Sequence, residues 1–299
     1  MNVIKAWIYR HPIAAVLIPY LPVMLLCELL VVNGYLLPWV GMTCSLLVFA
    51  LLFYAVRRIQ QLLLTDAYAA LERDLDPYRF MALNRLLMSR RTSRHAIRLM
   101  MESNYAAGMD AAGQYEEALS YMDKLTAERR LLDPYSRIQF DICYASIAVH
   151  SPRGRETVSR VVVEVARELA MLPPAAFSNL HKALDSVRDA MRYYADDLEG
   201  LVEKYVAQIE HCRQDPMRRR HQLVACMWLA RVYEKLGRRR DAAAMYGYVA
   251  ENGGSLGIVS EAEEAVLRVT REEAQPSSTA SENKSQEADS SSTEKEAAE

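Results

Sequence analysis

Two long apolar stretches near the N-terminus constrain this chain of 299 residues more than any other feature. Residues 12–32 are 21 positions with a single charge, Glu28, and residues 36–56 are 21 positions with none. As a helix, each stretch would span about 30 Å, which matches the hydrocarbon core of a bilayer. The connecting Asn33-Gly34-Tyr35 has the composition of a tight turn. The sequence therefore predicts a transmembrane helical hairpin within residues 1–58.

Basic residues flank this predicted hairpin on one side only. Lys5 and Arg10 precede the first span. Arg57 and Arg58 follow the second span, and the turn carries no basic residue. The positive-inside rule therefore predicts a multi-pass protein of the cell (plasma) membrane with both termini in the cytoplasm. A cleaved signal peptide is the alternative for residues 1–32, but no small-x-small cleavage site follows.

Glu28 is the one carboxylate within the predicted spans. An ionisable residue inside a membrane is a functional hypothesis by default. The alternative is that Glu28 reaches toward the nearby turn or stays protonated, and this interpretation needs no partner. Both interpretations remain open at the level of the sequence.

The chain beyond residue 58 is predicted to be all-α. Three Asp-Pro pairs, Asp76-Pro77, Asp133-Pro134 and Asp215-Pro216, punctuate it. Because Asp caps the free amides of a helix start and Pro suits the first helical position, each pair marks a new helix. Apolar residues recur at spacings of three and four between these marks. The predicted units are juxtamembrane helices over 59–94, hairpins over 95–130, 134–171, 174–213 and 216–252, and a last helix near 258–272.

Two windows carry a repeat-like signature. The first is the segment Gly113-Gln114-Tyr115-Glu116-Glu117-Ala118-Leu119. The second runs from Trp228 to Gly237 and continues into Asp241-Ala242. Both resemble the tetratricopeptide repeat, in which a Gly turn joins two helices and small Ala residues let them approach. The chain thus resembles a bacterial-type membrane-anchored tetratricopeptide-like protein, with a TPR-like α-solenoid over 95–272.

The resemblance implies a concave groove lined by the first helix of each hairpin. Such grooves bind peptides or helices, so the expected partner is a protein or peptide. The implied groove candidates are Met100, Asn104 and Ala107 in the first hairpin and Met227, Trp228 and Arg231 in the last. The Lys and Asn positions of the family's carboxylate-clamp form have only scattered matches, which argues against chaperone C-terminus capture.

Short basic runs suggest a second surface. The membrane-surface candidates are Arg57, Arg58, Arg90, Arg91 and Arg94, which follow the hairpin and would meet anionic headgroups of the lipid bilayer. The alternative for such runs is solubility and helix-end charge. Because no aromatic platform is interleaved with them, we expect no binding to nucleic acid.

The sequence argues against an enzyme. No metalloprotease, phosphate-loop, nucleophile-elbow, dinucleotide or kinase motif is present. The six histidines are dispersed, and the five cysteines have no CxxC spacing, so we expect no metal, no cofactor and free thiols.

The last segment differs in composition from the rest. Residues 273–299 contain Ser, Thr, Glu, Ala and Lys without aromatic or large aliphatic side chains, which predicts a disordered acidic tail. The whole pattern predicts a membrane-anchored cytoplasmic interaction scaffold. The alternative is an accessory subunit of a membrane transporter or envelope enzyme, recognised through the hairpin.

Overall fold

A computed structural model describes residues 3–88, 95–173 and 177–274, and within these ranges the chain is helical with no strand. The predicted all-α class is thereby confirmed. The predicted tail beyond residue 274 and the candidates Arg90, Arg91 and Arg94 lie outside the described residues. The α-helices are α1 (Val3–Arg10), α2 (Pro12–Val32), α3 (Pro38–Glu72), α4 (Pro77–Met88), α5 (His95–Ala111), α6 (Tyr115–Leu125), α7 (Pro134–Ala148), α8 (Arg155–Ala170), α9 (Ser178–Tyr194), α10 (Leu201–Arg213), α11 (Arg219–Lys235), α12 (Arg239–Asn252) and α13 (Ile258–Ala274).

Helices α2 and α3 form an apolar hairpin. Both are long and apolar enough to cross a membrane, with mean hydropathies of 2.3 and 2.1 over their most apolar windows. The two helices are joined by a hydrogen bond of 2.8 Å between the hydroxyls of Tyr20 and Ser45. Gly41 lies so close to Val31 that an added Cβ would stand 2.6 Å from its side chain. These contacts hold the hairpin together at two levels.

Helix α3 has two parts with different surroundings. Its first part exposes large apolar side chains such as Leu47 and Leu51, as α2 does with Ile18 and Leu29. From Leu63 onward the apolar side chains of α3 are buried against other helices. One continuous helix therefore connects the exposed apolar hairpin to the packed helical domain.

Each Asp-Pro pair begins a helix or a helical turn, as predicted. The Asp133 carboxylate accepts hydrogen bonds of 3.1 Å from the backbone amides of Tyr135 and Ser136. Asp76 accepts from the amide of Arg79 at 2.9 Å, and Asp215 caps a short 3-10 turn (Pro216–Arg218) ahead of α11. The local chemistry of capping thus determines where these helices start.

The C-terminal helices pack back onto α4 and the second part of α3. One core joins α3 and α4 to α11, α12 and α13, and a second runs from α5 through α11. At their contact, Arg220 and His221 at the start of α11 bind the Glu72 carboxylate at 2.8 and 2.6 Å. Burial alone would raise the pKa of Glu72, but the Arg220 guanidinium and the hydrogen bonds with Arg220 and His221 outweigh it and lower the pKa to about 2. An ion cluster therefore ties the end of α3 to α11.

The loop between α12 and α13 adds hydrogen bonds to the segment after α3 and to the end of α5. The Ser255 hydroxyl donates to the carbonyl oxygen of Leu75 at 2.9 Å, and the Gly257 amide donates to that of Ala111 at 2.8 Å. Gly257 approaches Gly113 so closely that a Cβ would stand 2.3 Å from the Gly113 nitrogen. Only glycine fits there. Helices α3 and α4 consequently form one packed body with α11, α12 and α13.

Candidate functional site

Two adjoining cavities form a groove, here called the central groove, between α5, α6, α8, α9, α11, α12 and α13. The larger cavity has a volume of about 300 Å³ and the smaller about 80 Å³. Tyr115, His150 and Arg231 line both. Since these residues come from helices or turns far apart in sequence, the groove exists only in the folded chain.

Aromatic rings build the floor of the central groove. The Trp228 ring lies 5.4 Å from the ring of Tyr193 and 6.0 Å from that of Tyr194, both in edge-on geometry. The His150 ring stacks near the Trp228 ring at 6.3 Å. Such contacts add rigidity beyond the area they bury. The floor is therefore an aromatic platform built from α9, α11 and the turn after α7.

Arg155, the first residue of α8, projects into the larger cavity. Its guanidinium carbon lies 3.7 Å from the centroid of the Tyr194 ring. Its Nε donates to the carbonyl oxygen of Val149 at 3.3 Å. Among the residues that the structure describes, no carboxylate pairs with it. Stacking thus holds the guanidinium in place while its outer N–H groups stay available for an anionic ligand.

The other arginines of the groove are already paired. Arg231 lies 4.6 Å above the Trp228 ring and forms an ion pair with Glu261. Burial would lower the pKa of Arg231, but the Glu261 carboxylate raises it, so the side chain stays charged. Arg268 binds Glu234 at 2.8 Å. These pairs shape the wall that α11 and α13 present.

Further polar groups line the groove. The Tyr246 hydroxyl donates to Glu234 at 2.7 Å, and burial together with this carboxylate raises the pKa of that hydroxyl. Burial, with Asp110 and Glu261 nearby, also raises the pKa of Tyr115. His150 shares a hydrogen bond of 2.8 Å with Asp110. Both tyrosines therefore remain neutral hydrogen-bonding groups at ordinary pH.

The polar groups of the groove are arginines, carboxylates, neutral phenols and the imidazole of His150, and most of them are paired with one another. Over the ranges 3–88, 95–173 and 177–274, no group of three His, Cys, Asp or Glu side chains is placed to hold a metal ion. The arrangement can bind a ligand that offers apolar surface and an anionic group.

The groove candidates taken from the repeat resemblance fall into two sets. Met227, Trp228 and Arg231 do line the smaller cavity. Met227 is only 2% exposed and Trp228 7%, so they form its floor rather than a free surface. The α5 candidates Met100, Asn104 and Ala107 are half-buried and line neither cavity. Their binding role stays a prediction.

Other residues that line the central groove are not among the candidates that the sequence indicates. Asp110 and Ala111 lie further along α5, and Ala111 shares the helix face of Asn104 and Ala107. Tyr193 and Tyr194 end α9, and Arg155 begins α8. Aromatic or arginine residues at helix ends were the available signal, but nothing in the sequence says that these ends meet.

The membrane-surface candidates Arg57 and Arg58 are both exposed on α3, near the level where its apolar part ends. The Arg57 guanidinium lies 5.8 Å from the Phe53 ring. Helix α1 lies nearby, and its Tyr9 hydroxyl donates to the carbonyl oxygen of Leu87 at the end of α4 at 3.2 Å. The candidates Arg90, Arg91 and Arg94 follow α4 in sequence and lie outside the described residues.

Comparisons with known proteins find no significant match among family models, curated proteins or solved structures. The functional argument therefore rests on the geometry of the hairpin and of the central groove.

Proposed function

We propose that this chain is a membrane-anchored cytoplasmic scaffold whose central groove binds a peptide segment of a partner protein. The observation that carries the proposal is Arg155, a guanidinium stacked on Tyr194 with no carboxylate partner among the described residues. It stands at the edge of an aromatic groove. The partner segment would place a carboxylate on Arg155 and apolar side chains against the aromatic floor.

Physical chemistry favours this ligand class. Guanidinium–carboxylate hydrogen bonds are roughly twice as strong as neutral ones and select planar anions. Buried aromatic and arginine side chains carry most of the binding energy in protein interfaces. Because the platform of Trp228, Tyr193 and Tyr194 is already packed, little side-chain freedom would be lost on binding.

The membrane part of the proposal rests on the apolar hairpin. Helix α3 extends 16 residues beyond Val56 to Glu72, about 24 Å of rise, without a break. The flanking Lys5, Arg10, Arg57 and Arg58 favour a cytoplasmic location for the helical domain. The groove would then be held at a short distance from the inner membrane surface, where it restricts its partner to that surface.

A pair of variants tests the groove. A photo-crosslinking residue replaces Glu264, an exposed position on α13 that lines the larger cavity, in the native host, and captured proteins are identified with and without Arg155→Gln. Arg153→Gln is the matched control, because Arg153 pairs with Asp123 at 3.1 Å and lines neither cavity. We expect Arg155→Gln to lose the captured partner while Arg153→Gln keeps it, both with unchanged melting temperature. Equal capture by both variants would contradict the proposal.

Topology has its own test. Reporters active on only one side of the membrane are attached at Tyr35 and at Glu299. We expect an external signal at Tyr35 and a cytoplasmic one at Glu299. A cytoplasmic signal at Tyr35 would refute the membrane hairpin.

One observation favours the accessory-subunit alternative. Glu28 is exposed on the outer surface of α2, between apolar side chains. Inside a bilayer an exposed carboxylate is costly, and a basic residue on a neighbouring transmembrane helix would offset the cost. Replacing Glu28 by Gln and by Leu, followed by detergent extraction and co-purification, tests this role. If both variants retain every membrane protein that the wild type retains, the alternative is refuted.

A further inference from the structure

A second groove lies between α2 and α3 at the end of the hairpin next to α1. This hairpin groove has a volume of about 270 Å³. Its apolar wall consists of Ile13, Val16 and Leu17 from α2 and Phe49, Phe53 and Val56 from α3. It lies apart from the central groove, because the two share no lining residue.

Two polar side chains stand at one end of the hairpin groove. Gln60 lines it and is only 7% exposed, and in the described part of the chain its amide has no hydrogen-bond partner. The amide nitrogen and oxygen of Gln60 are not fully enclosed, so they stay accessible to a ligand in the groove. The amide therefore points to a ligand with a hydrogen-bonding group at this depth.

Arg57 supplies the charge at the same end. It lines the groove, lies 5.8 Å from the Phe53 ring, and has no carboxylate partner among the residues described. A cation and an amide at the mouth of an apolar groove match an amphiphile with an anionic head. With the apolar hairpin in a membrane, the surrounding bilayer provides such amphiphiles at high concentration.

We propose that the hairpin groove binds one anionic phospholipid. An acyl chain lies along the wall formed by Leu17, Phe49 and Phe53. The headgroup phosphate accepts hydrogen bonds from Arg57, and a headgroup oxygen beyond it accepts one from Gln60, which lies about one turn further along α3. The inference rests on the membrane anchorage in the proposed function, and it adds a lipid class that the anchor recognises.

The experiment uses the full chain purified in mild detergent and delipidated. Native mass spectrometry counts bound lipid as dioleoyl phosphatidylglycerol or, separately, dioleoyl phosphatidylcholine is added. We expect one phosphatidylglycerol per chain and roughly tenfold weaker binding of phosphatidylcholine, because the choline cation of phosphatidylcholine opposes the attraction between its phosphate and Arg57.

Matched variants localise the site. Arg57→Gln removes the cation in the groove, whereas Arg58→Gln removes an adjacent exposed cation that does not line it. Leu17→Trp fills the apolar wall, whereas Leu21→Trp adds the same bulk one turn away, outside it. Arg57→Gln and Leu17→Trp should each weaken phosphatidylglycerol binding by about tenfold or more, and both controls should bind as the wild type does.

Three outcomes overturn the proposal: equal binding of both lipids, equal loss in Arg57→Gln and Arg58→Gln, or a dimer in which a second copy occupies the groove. Alkaline carbonate extraction of native membranes separates this failure from failure of the anchor. If the wild-type chain stays in the membrane but binds no phosphatidylglycerol, only the lipid site is wrong. If carbonate releases it, the membrane anchor is wrong and the lipid site fails with it.

Discussion

The same apolar residue types are exposed in the apolar hairpin and buried in the helical domain. Trp39 in the first turn of α3 is 65% exposed, whereas Trp228 in α11 is 7% exposed beneath three aromatic rings. Apolar residues surround α2 on every side, while α8 and α9 confine theirs to one stripe. A helix that is apolar all round needs an apolar surrounding, and an amphipathic helix needs only neighbours.

Helix α3 has exposed apolar side chains in its first part and buried ones in its second part. The transition lies within two turns after Val56. Before it, side chains such as Leu51 face outward; after it, Leu63 and Ala70 are packed against the domain. The comparison teaches that hydrophobicity alone does not determine burial in this chain. What determines it is whether other helices are available to cover the side chain. Matched substitutions in the two regions test this difference.

The largest difference is expected between the two tryptophans. Trp228→Ala removes the centre of the aromatic platform and leaves a cavity, at a cost of ~3–5 kcal/mol in the free energy of unfolding. Trp39→Ala should change the unfolding of the helical domain by less than about 0.5 kcal/mol, because its side chain contributes nothing to that core. Urea titrations of the full chain in mild detergent measure both. Similar midpoints for the two variants would break the comparison.

The next largest effect concerns the two carboxylates at Glu72 and Glu28. Because the folded-state pKa of Glu72 is lowered from 4.5 to about 2, its ionisation contributes stability above pH 4.5. This contribution, about 3 kcal/mol, is lost as the pH falls from about 4.5 to about 2. Glu72→Gln should therefore destabilise the domain at pH 7, and its deficit relative to wild type should shrink through that window.

Glu28→Gln is the counterpart in the hairpin. Glu28 is exposed and distant from the domain core, so its replacement should leave the urea midpoint of the domain unchanged at every pH. The measurement is the difference in midpoint between each variant and wild type from pH 7 down to pH 3. A Glu72→Gln deficit that stays constant with pH would show that Arg220 and His221 do not control this carboxylate.

A smaller effect is expected for added bulk at alanine. Ala230 in α11 is fully buried in the core that joins α3 and α4 to α11, α12 and α13. Ala230→Leu should therefore cost ~1–3 kcal/mol in stability through overpacking. Ala55 is exposed on α3, and Ala55→Leu should be neutral within about 0.5 kcal/mol. Thermal melts in detergent compare them. A neutral Ala230→Leu would mean that α11 and its neighbours are not closely packed.

The smallest effect is expected at the helix starts. Asp133→Ala removes the two hydrogen bonds that cap α7 and should cost ~1 kcal/mol. In the hairpin, α2 begins after His11, which makes no side-chain capping bond, so His11→Ala should leave domain stability unchanged. Melting temperatures of the two variants are the readout. A larger loss for His11→Ala would show that the hairpin start also supports the domain.

Local patterns predicted the elements of this fold well. The Asp-Pro pairs marked the starts at Pro77, Pro134 and Pro216, and the apolar periodicity placed helices between them. These predictions succeed because capping and helical periodicity depend on residues within one or two turns of each other. The tetratricopeptide-like arrangement and the binding role of its groove stay predictions.

Contacts between segments that are distant in the sequence could not be predicted from it. The contact of Glu72 with Arg220 spans 148 positions, and no local pattern signals it. Trp228 was assigned to the groove from the repeat pattern alone, yet Tyr193, Tyr194 and His150 cover it, because they come from helix ends that meet only on folding. Arg155 is a candidate binding residue only because the fold places the Tyr194 ring beneath its guanidinium.

The sequence by itself determined that the chain is helical, where its helices begin, and which two are apolar along their length. These properties follow from backbone capping, proline geometry and the period of the apolar residues. The tertiary structure decided which side chains are buried, how α11–α13 return to α3, and that two grooves form. Burial and cavities depend on the surfaces of several helices at once, so they are fixed only when all of those helices are packed together.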